Sequence, residues 1–210
     1  MRVDSEWVPL TELNKEFFAL EETLKTEKEN KQKKEGLIFN LSLTDTLRLT
    51  MFGTLIAIAN TILRMPIHMP AHTSIWWMGI LVLGRGLIPK KGAGIIMGIV
   101  SGVVIVLLGD KDGPLTFIKF LMPGITLDIM APVFFNKLES PIVGAICGAL
   151  ASVAKMIGNV AVGFALKLPM EFLTLGLGFT AISHVIFGAI GGVVATLLIK
   201  RLKPRLLNWD

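Results

Sequence analysis

The sequence predicts an all-α protein, a polytopic membrane bundle of six transmembrane helices preceded by a short cytosolic N-terminal helix. Three observations carry this. Mean hydropathy is +0.66 and 52% of the residues are hydrophobic, more than a soluble domain of 210 residues needs. From Leu49 to Ile199 the chain is a succession of apolar runs, near the 20 or so residues that cross a hydrocarbon core of about 30 Å. The runs are studded with glycine and parted by a few charged or proline-bearing residues.

Residues 1–40 form a cytosolic extension, 41–205 the membrane domain and 206–210 a cytosolic tail. In the extension Leu13, Phe17, Leu20 and Leu24 share one helical face, with Glu21, Glu22, Lys25 and Lys28 elsewhere. Such a helix suits the bilayer surface or the protein's own surface; a specific partner is the other reading. No apolar signal-peptide core is present in Met1 to Asn40. The spans expected are Leu43 to Leu63, Ser74 to Ile88, Gly92 to Gly109, Leu115 to Phe135, Ile142 to Leu166 and Phe172 to Ile199. The second is short. The fourth is interrupted by Lys119, Pro123, Gly124, Asp128 and Pro132, which leaves a five-span or re-entrant alternative.

Charge chooses the orientation. Up to Arg48 there are eight Lys/Arg and ten Asp/Glu; the remainder carries thirteen and six, so the net +5 belongs to the membrane part. Lys31, Lys33, Lys34, Arg48, Arg85, Lys90, Lys91, Lys137, Lys200, Arg201, Lys203 and Arg205 fall on the side of the termini, against Arg64, Lys111 and Lys167 on the other. Both termini are therefore expected in the cytoplasm of a multi-pass plasma-membrane protein. Positive charge of this kind reports topology, and nucleic acid is not an expected partner. Cys147 lies within an apolar run, so neither a disulfide framework nor a CxxC metal pair is present.

Small residues recur at four-residue spacing: Gly53 and Ala57; Gly94, Gly98 and Gly102; Gly144 and Gly148; Gly188 and Gly192. Such stripes let helix backbones approach closely where lipid supplies no hydrophobic drive for association. Internal packing is their expected role.

An ionisable side chain inside a span costs roughly 2.5 to 3.5 kcal/mol and is a site candidate by default. Counted from the outer ends of the expected spans, Asp128, Lys155 and His184 lie at similar depths, roughly 17 to 20 Å. Asn159 stands one turn above Lys155. The plain structural alternative is a buried Asp128–Lys155 ion pair that pins helix register. Lys119, near the outer surface, suits snorkelling. Between the first two spans, Arg64 to Trp77 holds His68, His72, Trp76 and Trp77, with Pro66 and Pro70 opposing regular helix. This segment suits a lid over a ring-shaped ligand; an interfacial aromatic belt is the alternative for Trp76 and Trp77. His68 and His72 could pair on a metal, but no nearby carboxylate or Cys completes a shell, so no metal or other cofactor is expected.

The chain resembles the substrate-binding S components of energy-coupling factor (ECF) vitamin transporters over residues 41 to 205. The likeness lies in six spans with cytoplasmic ends, a lidding first loop, the turn Leu83-Gly84-Arg85-Gly86-Leu87-Ile88-Pro89-Lys90-Lys91-Gly92-Ala93-Gly94 into a Gly-rich third helix, and polar residues on helices four to six. The resemblance implies an outward pocket for a vitamin, a precursor or a metal ion, and partnership with a transmembrane coupling protein and two ABC ATPases. The candidate substrate-binding residues are Trp76, Trp77, Asp128, Lys155, Asn159, His184, His68 and His72. Members of the family use an AxxxA contact on the first helix for the coupling subunit; the matching place here is Gly53 to Ala57. Metal-uptake members rely on a histidine beside the initiator methionine, whereas this chain begins Met1-Arg2-Val3. An enzyme is not expected, since GKS/T, HExxH and GxSxG are all absent. A self-sufficient secondary carrier or channel, and an S component for a transition-metal ion, are the alternative functions.

Overall fold

A computed structural model describes residues 20–23, 25, 41–62, 73–110, 112–134, 137–167 and 177–207. The chain divides into two compact units, Met1–Asn40 and Leu41–Asp210. In the first, Leu20 to Thr23 and Lys25 are helical and exposed; Leu13, Phe17 and Leu24 of the expected apolar face lie outside the described residues.

In the second unit the described residues form six α-helices: α1 (Leu43–Ile62), α2 (Ser74–Leu87), α3 (Ala93–Leu107), α4 (Thr116–Val133), α5 (Pro141–Ala165) and α6 (Leu177–Leu207). A 3₁₀ turn, Gly113–Leu115, leads into α4. Three stretches are long and apolar enough to cross a membrane: Gly113–Val133, Pro141–Ala165 and Gly178–Pro204. Ser74–Leu87 and Ala93–Leu107 are apolar but shorter. At 14 residues α2 is about 21 Å long, well under a bilayer core. The last helix runs past the expected Ile199 through Lys200, Arg201 and Lys203, residues that favour helix once the apolar run has ended.

Local chemistry explains the ends. Ser42 Oγ accepts the Asp45 amide at 3.1 Å while Asp45 Oδ2 accepts the Ser42 amide at 3.2 Å, a reciprocal capping box that starts α1. Asp45 Oδ2 also accepts from Lys90 Nζ at 2.5 Å, tying the α2–α3 turn to α1. That turn contains Pro89 and closes on Gly92 at φ 88°, a left-handed conformation that favours glycine.

The helices pack as a ring in the order α1, α3, α4, α5, α6, α2 and back to α1. Glycine makes the closest joints. A Cβ on Gly94 would lie 2.5 Å from the Gly124 carbonyl oxygen, and one on Gly98 2.8 Å from that of Phe120, so α3 and α4 meet backbone to backbone. Gly144 and Gly148 of α5 meet Gly192 and Gly188 of α6 in the same way. Leu49, Ile56, Trp77, Leu81, Met97 and Leu127 fill the interior. Leu47, Met51, Ile62, Ile142 and Phe179 face outward, as lipid-facing side chains do.

The α2–α6 register positions the site. A Cβ on Gly191 would lie 3.2 Å from Ile75 Cα and Gly86 packs on Ile199, so the two helices run in the same direction, with the start of α2 near the level of Gly191. That point is about 14 residues, or roughly 21 Å, into α6. Over the first part of α6 the ring therefore lacks α2.

Candidate functional site

A polar cluster gathers where α2 begins. Lys155 of α5 places its Nζ 3.7 Å from the centroid of the Trp77 ring and 4.3 Å from that of Phe120. The two rings meet edge to face at 6.1 Å. Contact with π faces compensates part of the desolvation of a buried ammonium. Lys155 Nζ also donates to Asn60 Oδ1 of α1, at a long 3.5 Å. One turn along α5, Ser152 Oγ and His184 Nδ1 of α6 share a hydrogen bond of 2.9 Å. Lys155, Asn60, Ser152 and His184 are all buried. The Trp77 indole Nε1 is buried and has no hydrogen-bond partner among the described residues, although such a donor ordinarily finds one.

A second polar centre lies toward the other end of the ring. Arg85 of α2, with no exposure at all, donates Nε to Asp128 Oδ1 at 2.8 Å and Nη1 to the Ile88 carbonyl at 3.4 Å. Asp128 Oδ2 accepts the Ile95 amide of α3 at 2.8 Å. The acid is thus paired and hydrogen-bonded on both oxygens, and it joins α2, α3 and α4.

The expected common level of Asp128, Lys155 and His184 is not observed. A Cβ on Gly158 would lie 3.2 Å from Lys119 Cα, which fixes the antiparallel register of α4 and α5. By that register Asp128 lies roughly six residues, or about 9 Å, from Lys155 along α5. The considered Asp128–Lys155 ion pair is replaced by the Arg85–Asp128 pair. The register between neighbouring helices, and not a count from span ends, sets these levels.

The remaining candidates divide. Trp77 is 1% exposed and belongs to the cluster, whereas its neighbour Trp76 is 57% exposed. Asn159 is partly buried one turn from Lys155. His68 and His72 lie outside the described residues. Lys119 pairs with Asp112 at 2.5 Å instead of snorkelling alone. Gly53 and Ala57 are buried, and a Cβ on Gly53 would lie 2.8 Å from that of Val100 on α3. The pair therefore packs inside the bundle, and the outer face of α1 carries Met51, Leu55 and Ile58. Sequence reasoning missed Asn60 and Ser152, uncharged residues with no signal beyond polarity in an apolar run. It also read Arg85 as a loop charge, although flanking Gly84 and Gly86 leave room for side chains of neighbouring helices: a Cβ on Gly84 would lie 2.5 Å from Met97 Sδ.

Among the described residues no three His, Cys, Asp or Glu side chains converge as a metal shell. Residues 42–154 match the family model described as "ABC-type cobalt transport system, permease component". The chain belongs to this family. A solved structure described as an S-component of an ECF transporter is similar to it, with a TM-score of 0.51 and 20% identity over 79% of this chain and 85% of the other. The likeness to ECF S components drawn from the sequence therefore holds, and the fold is shared. No curated protein matches.

Proposed function

We propose that this family member is the membrane-embedded, substrate-binding subunit of an ECF-type ABC transporter, working with a transmembrane coupling protein and two ATPases. All six helices cross the bilayer in this reading, and the Lys/Arg-rich end, with both termini, faces the cytoplasm. The Lys155–Trp77 cluster then lies on the outer side of the Arg85–Asp128 centre.

The observation that carries the ligand reading is the buried Trp77 Nε1, without a partner among the described residues, beside the Lys155 ammonium. Two donors and two aromatic faces suit a compact organic molecule with a flat ring and hydrogen-bond acceptors, of the vitamin-precursor class. A bare divalent cation would meet the repulsion of Lys155. The family description favours the second reading, a cobalt ion as cargo. In that reading His184 would act together with His68 and His72.

The two readings separate in one preparation of detergent-solubilised protein. Mass spectrometry of the co-purifying small molecule should return a ring-bearing organic compound. Stoichiometric cobalt by elemental analysis, lost on replacing His184 and retained on replacing Lys155, would establish the metal reading instead. Substrate uptake that persists without ATP hydrolysis would favour a self-sufficient carrier.

A further inference from the structure

A cavity of about 610 Å³ lies at the end of the ring away from the Lys155 cluster, between α1, the α2–α3 turn and α6. Its α1 wall comes from Asp45, Arg48, Met51 and Leu55, spaced so that they share one helical face; Lys90 of the turn and Lys203 of α6 complete the rim. Met51 and Leu55 are 73% and 47% exposed, so the apolar wall continues onto the outward face of α1. The cavity thus opens sideways as well as endwise.

Its charge is unbalanced. Lys90 is paired with Asp45 and Lys203 with Glu139, yet both lysines keep over a third of their side-chain surface exposed. Arg48 is exposed and makes no ion pair among the described residues. One face therefore presents an apolar trough leading to a guanidinium and two partly satisfied ammonium groups, at the height where the apolar surface of the bundle gives way to charge.

We infer that this cavity binds an anionic phospholipid, its phosphate on Arg48 with Lys90 and Lys203 alongside, and an acyl chain lying over Met51 and Leu55. A soluble anion would use the cations but leave the apolar wall wet. A zwitterionic lipid would use the wall but bring no net charge for the surplus cation. Only a lipid with net negative charge satisfies both. The assignment needs only that this end lies at one membrane surface, so it stands apart from the ligand reading at Lys155.

The test uses the full chain in bilayers of equal phosphatidylglycerol and phosphatidylcholine, with retained lipid counted by native mass spectrometry after release. Preferential retention of phosphatidylglycerol is expected. Arg48→Gln should reduce that preference about fivefold, the share of one basic residue near a membrane surface, and Arg48→Lys should keep most of it. Melting temperature should not change in either variant, which separates lost binding from misfolding. A photo-reactive side chain in place of Leu55 should acquire the mass of a phospholipid. Equal retention of the two lipids, displacement by inorganic phosphate, or cross-linking of position 55 to residues 1–40 of the chain would each overturn the assignment.

Discussion

Two buried polar centres in one helix bundle are built to opposite specifications. At the Arg85–Asp128 centre the ion pair is 2.8 Å long, the acid's second oxygen takes a backbone amide, and the guanidinium reaches a carbonyl. At the Lys155 centre the hydrogen bond to Asn60 is stretched to 3.5 Å and an indole donor has no partner among the described residues. A group that pins helices gains from complete satisfaction, because each unmet partner costs stability. A group that receives a ligand must keep capacity in reserve. Charge at membrane depth nominates both centres; only the state of their hydrogen bonds tells them apart.

The largest effect should come from breaking the closed centre. Removing one member of a buried pair strands the other, at a cost of about 3 to 5 kcal/mol. Arg85→Met and Asp128→Asn should each lower the melting temperature sharply, and Arg85→Met with Asp128→Leu should recover most of the loss. Affinity measured on the surviving folded fraction should stay unchanged. A loss of affinity in Asp128→Asn without a loss of stability would return Asp128 to the binding site.

Overpacking comes next. Ala57 is fully buried in α1, so Ala57→Trp should destabilise the bundle by about 1 to 3 kcal/mol or more. Ligand binding and co-purification with a coupling protein should fall together. Loss of the complex with intact binding and an intact melting temperature would show that Ala57 reaches the partner after all.

The Lys155 centre should respond in the reverse sense. Lys155→Met replaces a buried ammonium by an apolar chain of similar length, so stability should hold or rise. Affinity should drop by one to two decades, the equivalent of about 1 to 3 kcal/mol. Trp77→Phe keeps most of the ring and deletes the orphan donor; its affinity should fall while its melting temperature does not. Equal stability losses at Lys155 and at Arg85 would erase the distinction between the two centres.

Much of this organisation was legible in the sequence because bilayer physics writes it in composition. Apolar runs marked the helices, and the four-residue glycine spacing marked joints such as Gly94–Gly124 and Gly148–Gly188. Lys155, His184 and Trp77 stood out through charge or aromatic content. Register was not legible. It depends on which side chain meets which backbone, as at Gly158 and Lys119, and no count from a span end supplies that. Facing was equally hidden: Gly53 and Ala57 have the spacing of a docking stripe, and the spacing is the same whether a helix turns it inward or outward. Arg85 was masked by its position, since a charge a few residues from Lys90 and Lys91 reads as part of the same loop.

The smallest effect tests facing at its finest scale, between adjacent tryptophans. Consecutive residues on a helix point about 100° apart, and here that turn separates a side chain 1% exposed from one 57% exposed. Trp77 is committed to the cluster with Lys155 and Phe120; Trp76 stands on the outer surface near the start of α2, where an aromatic ring suits the lipid boundary. Trp76→Ala removes none of the contacts described for the cluster. Its melting temperature in detergent should therefore stay within the range of a surface substitution, about 0.5 kcal/mol, and its ligand affinity should match that of the unaltered chain. The matching change Trp77→Ala should lose both. A Trp76→Ala variant that folds normally but binds weakly would mean that this ring turns inward over the ligand when the site is occupied, making the start of α2 part of the lid and shifting the boundary between the Lys155 centre and the outer surface by one residue.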